Sequence, residues 1–108
     1  MRRFATLSRQ ADFARLRRHG RRLSTRSLVI YRSDPLSSDQ SSVVGITVGR
    51  SIGKAVVRNK LRRRIAAIIH DALKSHEAVR LLVVPRPIAA AAPFSELQVE
   101  LVSALGCR

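Results

Sequence analysis

Apolar positions fall into stretches of strand-like and helix-like spacing. Residues 8–19 predict a helix: Ala11, Phe13 or Ala14, and Leu16 give a partial apolar stripe, Ser8 is placed to cap it and Gly20 to stop it. Leu28-Val29-Ile30-Tyr31 is a short β-rich run and predicts a strand. Residues 33–42 are rich in Ser, Asp and Pro and predict a solvent loop. That loop would join a hairpin whose second strand is Val43-Val44-Gly45-Ile46-Thr47-Val48. Between Gly20 and Leu28 the strand pattern is weak. Residues 54–75 carry the strongest helical pattern. Val57, Leu61, Ile65, Ile68 and Ala72 share one ~80° arc, and Arg58, Asn59, Arg62 and Arg63 occupy the adjoining ~140°. Arg80-Leu81-Leu82-Val83-Val84 predicts a buried strand ended by Pro85 and Pro87. Ser95-Glu96-Leu97-Gln98 has the capping-box pattern, with Phe94 and Val99 placed as a hydrophobic staple. The helix it opens carries Leu97, Leu101 and Leu105 at i, i+4 and i+8. This order predicts an α/β (α+β) fold, a small sheet covered by helices, in one domain spanning residues 1–108.

Charge adds a direction to this fold. The chain holds 21 Lys+Arg against 7 Asp+Glu, a formal net charge of +14. Ten of the cations lie in the first 33 positions, where Asp12 is the only acid, and seven more lie between Arg50 and Arg64 with no acid among them. The final 44 residues carry four. Such a gradient implies a polarised surface with one side built for a polyanion. Arginine dominates, which suits forked contacts to phosphate and stacking on bases. No Asp or Glu lies four residues from Arg58, Arg62 or Arg63, so helical salt bridges do not account for that face. No apolar run approaches the ~20 residues of a membrane span, and Arg9 and Asp12 interrupt any signal-like stretch. The single cysteine, Cys107, has no partner for an internal disulfide, which is compatible with a reducing cytoplasm.

Catalytic sets are missing from the pattern. His70-Asp71 and His76-Glu77 resemble metal-ligand pairs, but His70 and His76 do not share a helix face. The carboxylates do not cluster as in a two-metal nuclease. Gly45, Gly49 and Gly53 lack the Lys-Ser/Thr ending of a phosphate-binding loop. On residue chemistry alone, this chain binds and does not catalyse, and it nominates no metal ligand.

The stretch Val44-Gly45-Ile46-Thr47-Val48, followed by Ile52-Gly53-Lys54-Ala55-Val56-Val57-Arg58-Asn59-Lys60-Leu61-Arg62-Arg63, resembles the signature of the bacterial ribonuclease P protein component. Asp12-Phe13 with His19-Gly20 resembles the family's first helix, and the resemblance extends over roughly residues 7–105. It implies an α-β-β-β-α-β-α fold similar to the second domain of ribosomal protein S5, with a left-handed β-α-β crossover and a strand between Gly20 and Leu28. It implies a subunit of an endoribonuclease that matures the 5′ ends of transfer RNA, with the hydrolytic chemistry and its magnesium in the RNA subunit. Arg50, Lys54, Arg58, Asn59, Lys60, Arg62 and Arg63 would then contact the catalytic RNA, in a 1:1 complex. Phe13, Arg17 and Tyr31 would hold the single-stranded 5′ leader of the precursor. Lys60 stands where the family usually has arginine, Arg17 and Leu28 where it often has aromatics, Ser51 where it often has lysine, and Ala66 where it often has arginine. Two other readings suit a small basic chain: a structural ribosomal RNA-binding protein, and a nucleoid protein on duplex DNA. The second lacks helix-turn-helix or zinc spacing.

Overall fold

The computed structural model describes residues 4–106, and Cys107 lies outside them. The strands are β1 (Phe4–Thr6), β2 (Arg21–Ser24), β3 (Leu28–Ser33), β4 (Ser42–Ile46) and β5 (Arg80–Pro85). The helices are α1 (Gln10–His19), α2 (Ala55–Ala72) and α3 (Phe94–Gly106). All five strands form one mixed sheet in the order β1-β4-β5-β3-β2. β4 runs parallel to both β1 and β5, while β3 is antiparallel to β5 and β2.

The expected element order holds, with one strand added. β1 is only three residues long and shows no period that could announce it. The weak stretch after Gly20 does form β2, as the family resemblance implied. The expected β3–β4 hairpin does not form: β5 lies between those strands and pairs with both. A parallel partner needs a crossover, which α2 supplies on its way from β4 to β5. β5 is thus central and buried, which explains its unbroken apolar run.

Alternation along the strands makes two unequal layers. Leu28 and Ile30 of β3, Val44 of β4, and Leu81 and Val83 of β5 face the main core with α2 and α3. From the helices, Leu61, Ile65, Ile68 and Ile69 of α2 and Leu97, Leu101 and Leu105 of α3 complete it. The opposite face holds a thin layer, Leu7, Leu16 and Leu82 with the half-buried Phe13, Tyr31, Val43 and Val84, covered by α1.

The helix ends differ in detail from the pattern. α1 begins after Arg9, with no side-chain cap, so Ser8 does not cap it. Gly20 ends it for a steric reason, because a Cβ there would meet Leu16 O at 2.5 Å. α3 starts at Phe94, ahead of Ser95, so Ser95 is inside the helix and the expected staple is absent: Phe94 and Val99 are both exposed. At the far end of α3, Arg32 Nη1 donates to Ala104 O and Leu105 O at 3.0 and 2.9 Å, and His76 Nε2 lies 2.9 Å from Leu105 O. These groups hold carbonyls that the helix leaves unpaired.

Candidate nucleic-acid interface

The turn into α2 needs glycine. Gly53 has φ 141°, a conformation that a side chain strains. It follows a single 3-10 turn, Arg50–Ile52, anchored by buried Ile52. The chain then enters α2 at Lys54, whose side chain makes no cap, and the first turn carries no acid. Unpaired backbone N–H groups and the positive end of the helix dipole therefore sit among cations. Alone, that is unfavourable; opposite phosphates it is favourable.

The buried stripe of α2 is not straight. Val57, expected in the core, is 37% exposed, and the buried positions are Leu61, Ile65, Ile68 and Ile69. Ile69 falls on the arc that Arg58 and Arg62 occupy two to three turns earlier. The basic face is thus confined to the first half of the helix, which stands proud of the core, while the second half is embedded. Arg50, Lys54, Asn59, Lys60, Arg62 and Arg63 are exposed, and Arg58 is half-buried. Arg62 Nη1 donates to Asn59 Oδ1 at 3.0 Å, which orients both side chains outward together. The Nε of Arg58 is sealed from solvent and has no hydrogen-bond partner among the described residues. None of the seven cations from Arg50 to Arg64 has an ion pair among the described residues. Five of the seven acids are engaged elsewhere: Asp71 with Lys74, Glu96 with Arg26, Asp12 and Asp39 with Arg80, and Glu100 as acceptor of the Ser27 N–H.

On the other sheet face, α1 leaves a groove of about 390 Å³ lined by Gln10, Phe13, Ala14, Arg17 and Thr47. The first four sit at i, i+3, i+4 and i+7, one face of the helix. That spacing is visible in the sequence, while Phe13 and Arg17 are expected here from the family resemblance; Thr47, just past β4, carries no such signal. Tyr31 lies on the same sheet face as Phe13 but does not line this groove. It sits mid-strand on β3, opposite Arg22 and Leu82, not at a strand end. Gly45 sets the depth of Phe13, because a Cβ at 45 would come within 3.0 Å of the Phe13 ring and of Leu7.

A buried cation fixes α1 to this face. Arg80 Nε and Nη2 donate to Asp39 Oδ2 and Oδ1 at 2.7 and 3.0 Å, and Nη1 lies 3.3 Å from Asp12 Oδ1 on α1. The hydrogen bonds from Arg80 hold the Asp39 carboxyl below its ordinary range against the opposing effect of burial, and the Leu36 N–H at 2.8 Å adds to them. Asp39 in turn pushes the Arg80 guanidinium further up. No local pattern signals this triad, since its members lie 27 and 41 residues apart on three elements. Among the described residues, no three His, Cys, Asp or Glu side chains come together as a metal site. No helix among the described residues is long and apolar enough to cross a membrane.

Comparison with known proteins bears on the family and the overall fold. The family model described as ribonuclease P matches residues 1–107. The ribonuclease P protein component of Acidothermus cellulolyticus is 41% identical over 101 residues, covering 93% of this chain and 84% of that one. That of Thermobifida fusca is 37% identical over 106 residues, covering 92% and 72%. Among solved structures, the ribonuclease P protein of Staphylococcus aureus superposes with a TM-score of 0.84 at 26% identity, covering 94% of this chain and 92% of that one. The Thermotoga maritima protein gives 0.79 at 25% identity, covering 93% and 94%.

Proposed function

The chain belongs to the ribonuclease P protein family, the protein component of an endoribonuclease, and on that premise we propose that its two opposite faces hold two different RNAs. The first half of α2, with Arg50, Lys54, Arg58, Asn59, Lys60, Arg62 and Arg63, binds the catalytic RNA in a 1:1 complex. The groove of Phe13 and Arg17, with Tyr31 on the same sheet face, binds the single-stranded 5′ leader of precursor transfer RNA. One observation carries the reading: seven cations stand on and beside an uncapped helix start, and none has a carboxylate partner among the described residues. Phosphates would satisfy the cations, the free N–H groups and the helix dipole together.

The division of labour follows from the chemistry. The protein supplies charge neutralisation, orientation and a grip on the leader; magnesium and the hydrolytic step belong to the RNA subunit. Lys60 keeps the charge of the usual arginine but contacts phosphate as a point charge without the forked geometry. Arg17, in a groove with one aromatic, offers its guanidinium plane to a leader base or its fork to a phosphate. The complex acts in the cytoplasm, where precursors are matured. The family assignment removes the main support for a structural ribosomal protein.

Reconstitution with a bacterial catalytic RNA at low magnesium tests the proposal. Adding the protein is expected to speed cleavage of precursor transfer RNA. No stimulation, together with tight binding to ribosomal RNA, would refute it.

A further inference from the structure

Among the described residues, five large apolar side chains besides Val57 are exposed, and Val56 is the most exposed of these, at 77%. Lone exposed apolar residues are ordinary. Val56 is not alone. It lines a shallow groove of about 260 Å³ with Val57, Lys60, Leu61, Arg64 and Ala90, between the first turns of α2 and the 3-10 segment Pro87–Ala91. Leu61 forms a buried floor, and Ala90 is a half-buried wall without a long side chain. Around the helix axis, Val56 falls between Arg63 and Lys60, so its methyl groups are flanked by cations. The groove is too small for a typical small-molecule pocket.

Apolar surface with a cationic rim matches one nucleotide: a base has an apolar face, and its flanking phosphates are anionic. A second copy of this chain is a poor occupant, because it would bring two cationic rims together. Electrostatic contact with a duplex backbone would use Lys60 and Arg64 and leave the valines without a role. We infer that this groove takes one unstacked base of the catalytic RNA, its face against Val56, Val57 and Ala90 and its flanking phosphates on Lys60 and Arg64. The inference rests on the reading that α2 binds the catalytic RNA, and adds an apolar, salt-independent part to that contact.

The test compares Val56→Ser, Val56→Leu and Lys60→Ala in the full chain, binding a bacterial catalytic RNA across a potassium chloride series. Val56→Ser is expected to weaken binding about fivefold, at the low end of what one base contact contributes, with the slope of log affinity against log salt unchanged. Val56→Leu keeps the apolar contact and is expected to bind within about twofold of the parent. Lys60→Ala is expected to lower the slope by about one. Base-specific chemical probing should find one RNA base protected by the parent and by Val56→Leu, and reactive with Val56→Ser. Thermal unfolding of Val56→Ser at the parent's temperature ensures that the fold is intact. If Val56→Ser matches the parent in affinity and protection while Lys60→Ala still changes the slope, the inference fails and the reading of α2 survives. If neither substitution changes binding, both fail. A dimer of the free parent that Val56→Ser dissolves would assign the groove to a second copy and overturn the inference.

Discussion

Removing the Arg80 guanidinium while keeping its bulk, as in Arg80→Met, isolates the buried triad. The Arg80 and Asp39 side chains are 9% and 7% exposed, and their contact is bidentate at 2.7 and 3.0 Å. The substitution leaves Asp39 sealed with one remaining donor, the Leu36 N–H at 2.8 Å. Breaking a buried pair from one side costs about 3–5 kcal/mol, and the surviving backbone donor puts this case near 3. For a chain of this size that lowers Tm by about 12 °C. Asp12 is 25% exposed and its contact is longer, so Asp12→Asn should cost less than about 1 kcal/mol. Urea unfolding followed by circular dichroism at neutral pH measures both. Asp39 titrates below its unfolded value, so its contribution is present above pH of about 4 and is lost as pH falls through the folded pKa. The gap between parent and Arg80→Met should therefore narrow on acidification. A variant within about 0.5 kcal/mol of the parent, or Asp12→Asn costing as much as Arg80→Met, would refute the account of a buried Arg80–Asp39 pair.

Arg58→Ala should weaken assembly with the catalytic RNA and lower the salt slope by about one, read by filter binding at several salt concentrations. Tyr31→Ala should lose affinity for a precursor with a leader by about fivefold or more and leave mature transfer RNA unaffected; equal losses would remove Tyr31 from the leader site. Gly45→Ala should cost about 1–3 kcal/mol in urea unfolding, because the new Cβ displaces Phe13 or Leu7; the same variant should lose leader discrimination. Gly53→Ala should cost about 1–3 kcal/mol in urea unfolding, from backbone strain at φ 141°.

Elements with a strong period were legible in the sequence. α2 carries its apolar residues every three to four positions, and β5 is an unbroken apolar run, so both were visible. β1 was not, since three residues make less than two periods. Pairing is not legible at residues 33–42, where a polar loop between two strands looks like a hairpin whether or not a third strand later enters between them. The site divided the same way. Cations and acid-free spacing are local properties, and they located the basic half of α2. Which half of that helix leaves the core depends on packing against the sheet and α3, so the exposure of Val56 and Val57 was hidden. The Asp12–Arg80–Asp39 contact is hidden for the same reason, being a product of tertiary pairing alone.

The central place of β5 has a consequence for how the chain is made. Among the described strands β5 is the last to leave the ribosome, yet it links the β1–β4 pair to the β2–β3 pair. Until residues 80–85 emerge, the first 79 residues hold two unjoined strand pairs and 18 of the 21 cations, with the full sheet on which α2 packs not yet formed. Sheet closure is therefore a late step of high sequence separation, and the nascent basic segments are exposed to cellular RNA before the fold that would discriminate among RNAs exists.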